Sequence, residues 1–472
     1  MKPGPARLDH TRREFVRRAG ASSFAVGSLS ALLSACGGGG DEPEQQLEGT
    51  IALWSDLSDA AAKRFFQGEI IAPFQRASSG VKVKVSFRRA EDMQRQIRLA
   101  LQARNAPDVI PTNGPAFVPD LAEAGFLADL GSYADERRWD QVMLPWALDL
   151  GRVNDTLVAL PTQLETLGIY INRTLFEKHG WEAPTDRAEL EQLAKEIADA
   201  GILPFAAGSA NFRQQIEWYT SIFFSNTAGP QLMYEVLTGE QPWTSPGMVE
   251  AITLMQEYFQ RGYFGGSVER FFATGENAVN AQLGDGEAAM QLSGTWHFES
   301  IDQFFGPEAQ NDNEWDFAAF PSLSGDAPYP IYPLGTGATL SVNRDSELKD
   351  GAAAFLGYLI EDKARTASWL AARGGAFSFP LRFDADDFPE SMDPRQRAAY
   401  VSLVKASEQG NFGYTNWSFS PPKTAVYIYE KVEQVVTGDT SPEDFLEGVE
   451  QTFQQDLDDG FTPRVPNPAA SA

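Results

Sequence analysis

Between residues 50 and 112 the apolar positions change their period along the chain. Thr50 to Trp54 is a short apolar run that ends in the polar turn Ser55 to Asp59. Phe65, Phe66, Ile70 and Phe74 then recur at helical spacing, whereas Val81, Val83, Val85 and Phe87 alternate with Lys82, Lys84, Ser86 and Arg88, the pattern of a strand with one wetter face. A second helix over 91–104 leads through Pro107-Asp108 into the short strand Val109-Ile110. This β-α-β-α-β order predicts a parallel sheet with right-handed crossovers, whose ligands gather outside the carboxyl ends of the strands. Those ends carry Trp54-Ser55-Asp56 and Thr112-Asn113-Gly114, which makes Trp54, Asp56 and Asn113 the first candidates for a site. Each has a plainer use as well: Trp54 as a core aromatic, and Asp56 or Ser58 as the cap of the following helix.

Further along, 157–160 and 168–171 read as strands flanking Pro161 to Thr166. Pro184-Thr185-Asp186 opens a helix over 187–200 that carries Leu190, Leu193 and Ile197 at helical spacing. Ser245-Pro246 opens another, with Met248, Ile252, Met255 and Phe259 as a core stripe.

The N-terminus reads differently. Thr11-Arg12-Arg13-Glu14-Phe15-Val16 precedes a mildly apolar stretch from Ala19 to Ala35, so residues 1–36 are expected to be a signal peptide. The stretch is too short and too weakly apolar for a spanning helix, which needs about 20 apolar residues. Arg12 and Arg13 resemble a twin-arginine export signal. Leu33-Ser34-Ala35-Cys36 is similar to a bacterial lipobox, in which Cys36 would carry lipid and become the new N-terminus. Cys36 is the only cysteine, which excludes a disulfide within the chain. Residues 37–48, Gly-rich and then acidic, are expected to be a flexible tether.

Charge narrows the partners. The chain holds 38 basic and 65 acidic residues, and without residues 1–36 it holds 32 and 63, a formal charge of −31. Nucleic acid is therefore not an expected partner. With 43% hydrophobic and 12% aromatic residues the chain has ample material for a core, and its length favours two lobes over one. No nucleophile elbow, H-E-x-x-H, phosphate loop or Cys/His cluster occurs. The three histidines, His10, His179 and His297, are far apart in sequence. No cofactor, metal site or catalytic group is expected.

Three blocks then converge. They are Val158 to Pro161 with Gly168 to Gly180 (GIYINRTLFEKHG); Gly286-Glu287-Ala288-Ala289-Met290 with Ser293-Gly294-Thr295-Trp296; and Pro107-Asp108-Val109-Ile110 with Leu121 to Leu130. In this order and spacing they resemble the extracellular solute-binding proteins of ABC importers, in the sugar-binding group that includes maltose-binding protein. The resemblance runs from about Gly49 to Asp458.

The resemblance implies an α/β, two-lobed periplasmic-binding-protein-like fold of type II, with hinge strands and an interlobe ligand cleft. Lobe one would comprise 48–163 and 322–373, and lobe two 168–318 and 377–472. It implies a monomer that captures a sugar or oligosaccharide and hands it to an ABC permease of the cytoplasmic membrane. The protein would be held by its lipid at the outer face of that membrane or lie in the periplasm.

A sugar presents an apolar face to aromatic rings and a rim of hydroxyls to polar groups. Trp54, Trp218, Trp243, Trp296, Phe377 and Trp417 are the candidate rings; Asp56, Asn113, Gln163, Glu165, Asn211, Arg373 and Asn416 are the candidate polar groups. Gln163 and Glu165 either touch ligand or pin the hinge. Gly335-Thr336-Gly337 and Arg373-Gly374-Gly375 either bring backbone to the ligand or are ordinary turns. Other readings stay open: a polyamine, peptide or polyol phosphate as ligand, an exported saccharide-active enzyme, or an adhesive surface lipoprotein.

Overall fold

In the first sheet the strands β1 (Gly49–Ser55), β2 (Val81–Phe87) and β3 (Val109–Thr112) are joined by helices over 60–77 and Ala90–Gln102. β1 pairs in parallel with β2 from Gly49 opposite Val81 to Ser55 opposite Phe87, and Leu53 lies opposite Val109 of β3. The sequence pattern is thus realised. The computed structural model describes residues 48–78, 80–461 and 464–471. The expected signal peptide with Arg12 and Arg13, the lipidation site Cys36 and the tether up to residue 47 lie outside the described residues.

Asp59, rather than Asp56 or Ser58, caps the first helix: its carboxylate accepts from the Ala62 amide at 2.7 Å. Asp56 and Ser58 are thereby left free of the capping role that they could have filled.

After the hairpin of β4 (Arg152–Val153) and β5 (Thr156–Leu157) comes β6 (Leu160–Glu165), and after a single residue, Thr166, comes β7 (Leu167–Asn172). The segment 161–166, expected as a link between strands, is itself mostly strand. Its backbone groups are taken by β11 (Tyr332–Val342), which runs antiparallel to β6 and to β3. Pairing with β6 skips one residue on each side: Thr336 lies opposite Leu164 and Ala338 opposite Thr162. At the skipped position Gln163 has φ 60°, a left-handed conformation that is rare for a non-glycine residue.

The second sheet has the order β10-β7-β9-β8, made of β8 (Leu203–Ala206), β9 (Ala288–Gly294) and β10 (Trp315–Ala318) with β7. β9 pairs antiparallel with β7 and parallel with β8. Chain passage from one sheet to the other at Thr166 is buttressed, because the Thr295 amide donates to the Thr166 carbonyl at 3.0 Å. A short strand, β12 (Phe412–Tyr414), pairs with the start of β11 and completes the first sheet.

Helices cover both sheets. The expected helix after Asp186 spans Arg187–Asp199, with the Asp186 carboxylate accepting from Glu189 and Leu190, Leu193 and Ile197 buried. Pro246–Gln260 follows Ser245 and buries Met248, Ile252, Met255 and Phe259. Ser245 does not cap it; its hydroxyl donates to the Pro242 carbonyl instead. No helix among the described residues is long and apolar enough to cross a membrane.

Candidate functional site

Asp56 follows β1 and Asn113 follows β3, at the carboxyl ends of parallel strands. Trp296 follows β9 of the other sheet. These ends meet at two adjoining cavities of about 500 and 430 Å³. Glu165 and Trp296 line both, so the two are one cleft with this pair at its centre.

One half of the cleft is acidic. Asp56, Asp59, Glu165, Glu276 and Glu299 line it together with Gln163, His297 and Arg373. Arg373 closes the helix Lys363–Arg373, and its Nη2 donates to Asp59 at 2.8 Å and Glu299 at 2.6 Å. The Ala62 amide, and then the Arg373 guanidinium, hold the Asp59 carboxyl below its usual value. Burial pushes Glu299 up, against the pull of Arg373.

Glu165 has no such relief. Burial, with the nearby charge of Asp56, pushes its carboxyl up to about 8, and the neighbouring Trp417 indole pulls only part of this back. Burial raises Asp56 too. His297, enclosed beside them, is pushed down to about 4 by burial and is therefore a neutral imidazole at neutral pH.

The other half is aromatic. Trp218, Trp296 and Trp417 form a row, with ring centroids 4.8 Å apart for the first pair and 6.0 Å for the second. Phe117, Phe212 and Tyr429 extend it. Burial lifts the Glu217 carboxyl well above the usual range, and its Oε2 is buried without a hydrogen-bond partner.

Glycines make room for these groups. A Cβ at Gly294 or Gly375 would lie 2.1 Å from the Trp296 ring or 2.2 Å from its Cα. Gly114, with φ 109°, brings the turn after Asn113 against the Trp417 carbonyl, where a Cβ would sit at 2.9 Å. Trp417 is held from behind by a buried network: the Thr336 amide donates to Ser418 Oγ at 2.9 Å, and Asn416 Nδ2 donates to Thr220 Oγ1 at 2.6 Å.

Of the thirteen candidate rings and polar groups, eight line the cleft, namely Asp56, Asn113, Gln163, Glu165, Trp218, Trp296, Arg373 and Trp417, as does the candidate glycine Gly337. Trp54 does not. It packs on the small core beneath the helix Ala90–Gln102, with the Arg88 guanidinium 4.5 Å over its ring. Phe377 lies against Phe65 and Phe66, and Trp243 is fully buried between Phe224 and Phe453. Asn211 accepts from the Glu276 amide, and Asn416 supports the cleft from behind.

Sequence reasoning missed Asp59, Glu217, Glu276, His297, Glu299 and Tyr429. Four of them stood beside residues already singled out: Asp59 in the turn with Asp56, Glu217 next to Trp218, and His297 and Glu299 one and three residues after Trp296.

Residues 56–366 match the family model described as bacterial extracellular solute-binding protein. The chain is 21% identical over 426 residues, 88% of its length and 93% of the relative's, to a probable sugar-binding periplasmic protein of Brucella melitensis. Among solved structures, a chitin oligosaccharide binding protein superposes with a TM-score of 0.72 at 17% identity, covering 86% of this chain and 98% of that one. The cyclic alpha-maltosyl-1,6-maltose binding protein of Arthrobacter globiformis gives 0.65 at 19% identity, covering 88% of this chain and 100% of that one. The expected two-lobed α/β fold agrees with these structures.

Proposed function

From the premise that the chain belongs to the family of bacterial extracellular solute-binding proteins, we propose that it captures a sugar or short oligosaccharide in the Glu165–Trp296 cleft. The chain is a binding protein, not an enzyme. One observation carries the ligand class: the row Trp218, Trp296, Trp417 adjoins a wall of carboxylates and amides in a single cleft. Sugar rings have an apolar face that stacks on indoles, while their hydroxyls need hydrogen-bond partners wherever water is excluded. The sugar-binding relative supports the same reading.

In mechanism, ligand enters between the two lobes, here 48–163 with 322–373 and 168–318 with 377–472. Closure is stabilised because only the closed state lets Asp56 and Asn113 of one lobe and Trp296 and Trp218 of the other hold the same molecule. Thr166 and the strained Gln163 lie where the chain crosses between sheets, so they set the cost of closing. Closed protein then presents its ligand to an ABC permease as a monomer. Export through Arg12 and Arg13, and a lipid on Cys36 that keeps the protein at the outer face of the cytoplasmic membrane, complete the reading.

A thermal-shift screen of residues 37–472 against sugars, polyols, polyamines and amino acids tests the ligand class, since a ligand that binds only the native state raises its melting temperature. Stabilisation by saccharides supports the proposal; stabilisation by amino acids alone would overturn it. For the anchor, Cys36→Ser is expected to move the protein from the membrane fraction to the soluble one.

A further inference from the structure

The acidic half of the cleft is unevenly balanced. Its one guanidinium, Arg373, is already shared by Asp59 and Glu299, and the Arg373 and Glu299 side chains are only 20% and 18% exposed. Asp56 and Glu165 line the same cavity with Glu276 at its rim, and no positively charged side chain acts on either of the first two. Glu165 is 6% exposed, its carboxyl seated in the space that Gly337 leaves, away from water. With no counter-charge, burial and the nearby Asp56 keep the proton on Glu165 in the ligand-free protein, and only a cation between the two carboxyls would let both ionise.

A neutral hydrogen-bonding wall for hydroxyls is already available from Gln163, Asn277, Asn280 and Gln303. The carboxyl pair is therefore suited to a cationic group on the ligand as well as to its hydroxyls. Among the described residues no set of three His, Cys, Asp or Glu side chains could hold a metal ion, so a bare cation is not their partner. The neighbouring aromatic row offers a sugar ring a stacking face beside that charge, whereas a linear polyamine would meet it through cation–π attraction alone.

We infer that the cleft selects a saccharide bearing a free primary ammonium, seated between Asp56 and Glu165 while an adjoining sugar ring stacks on Trp296. An ammonium offers three donors and would make charge-assisted hydrogen bonds to both carboxylates. It would also supply the counter-charge that this pair lacks within the protein. N-acetylation removes the charge and replaces two donors with an acyl group, so N-acetylated sugars are the disfavoured relatives of the preferred ligand. This inference rests on the saccharide reading above and narrows it.

The test is calorimetric titration of residues 37–472 with β-1,4-linked glucosamine oligomers of two to four units. Matched glucose and N-acetylglucosamine oligomers and spermidine are the comparison ligands. The amine oligomers are expected to bind about tenfold or more tighter than either matched series. Asp56→Asn and Glu165→Gln, each checked for cooperative unfolding, should bring that ratio close to one, because they weaken the amine oligomers by more than they weaken the glucose oligomers. If one variant does not fold, the other decides. Equal or tighter binding of a neutral series, or equal loss for all ligands in the variants, overturns the ammonium inference and leaves the saccharide reading standing. Binding of spermidine alone, or of no oligomer in any series, overturns the saccharide reading with it.

Discussion

A Cβ at position 337 would lie 1.9 Å from Oε1 of Glu165, so the glycine of β11 and the carboxylate of β6 occupy one space. The strands pair on both sides of this point and skip it, with Gln163 turned into left-handed backbone opposite Gly337. The hinge strand is thus distorted where it delivers its carboxylate to the centre of the cleft. Gly337→Ala is expected to push Glu165 off its seat, at a cost of about 1–3 kcal/mol from overpacking. Urea unfolding would measure that loss, and titration with ligand should show weaker binding.

Glu165 also leaves a mark on stability against pH. Its folded-state value is raised, to about 8 from an ordinary 4.5, so the folded protein binds more protons than the unfolded chain between these limits. The stability contributed by this group is present below about 4.5 and is lost as pH rises towards 8. Ligand-free protein should therefore show a melting temperature that falls with pH across that window, and Glu165→Gln should flatten the fall. An unchanged slope in the variant would mean that the carboxyl is ionised in the folded state.

Arg373 joins Asp59, at the start of the helix after β1, to Glu299, in the turn after β9. These two carboxylates come from different proposed lobes, so the guanidinium holds them together across the cleft. Arg373→Gln removes the charge and leaves Glu299 enclosed without its partner, a change that costs more than loss of an exposed pair. Small-angle scattering of the ligand-free variant is expected to show a larger radius of gyration than the parent. An identical radius would separate the ion pair from lobe closure.

Much of the first sheet was legible in the sequence because its periods differ so plainly. Val81 to Phe87 alternates, the helix before it carries Phe65, Phe66, Ile70 and Phe74 on one side, and the two strand ends carry Asp56 and Asn113. Residues 161–166 were harder. Pro161 and two threonines read as a connection, and only the distant β11, some 170 residues on, turns them into strand.

The same limit governs the site. Trp54 lies two residues before Asp56, yet it is still within β1 while Asp56 is past the strand's end, so the sheet fixes the ring against the small core, under Arg88. Phe377 lies two residues after Gly375, which faces Trp296, but turns into the core against Phe65 and Phe66. Asp59 and Glu299 become legible as a pair only once folding brings Arg373 between them.

Trp296 stands between Trp218 and Trp417 and lines both halves of the cleft, so it bears most directly on the claim that a saccharide binds there. The deciding measurement is calorimetric titration of residues 37–472, parent and Trp296→Ala side by side, with the saccharides that stabilise the parent against heat. The predicted result is saturable binding to the parent and affinity weaker by about tenfold or more in the variant, the scale of a lost aromatic contact. Binding of equal strength in the two, or no saccharide binding to the parent at all, would contradict it.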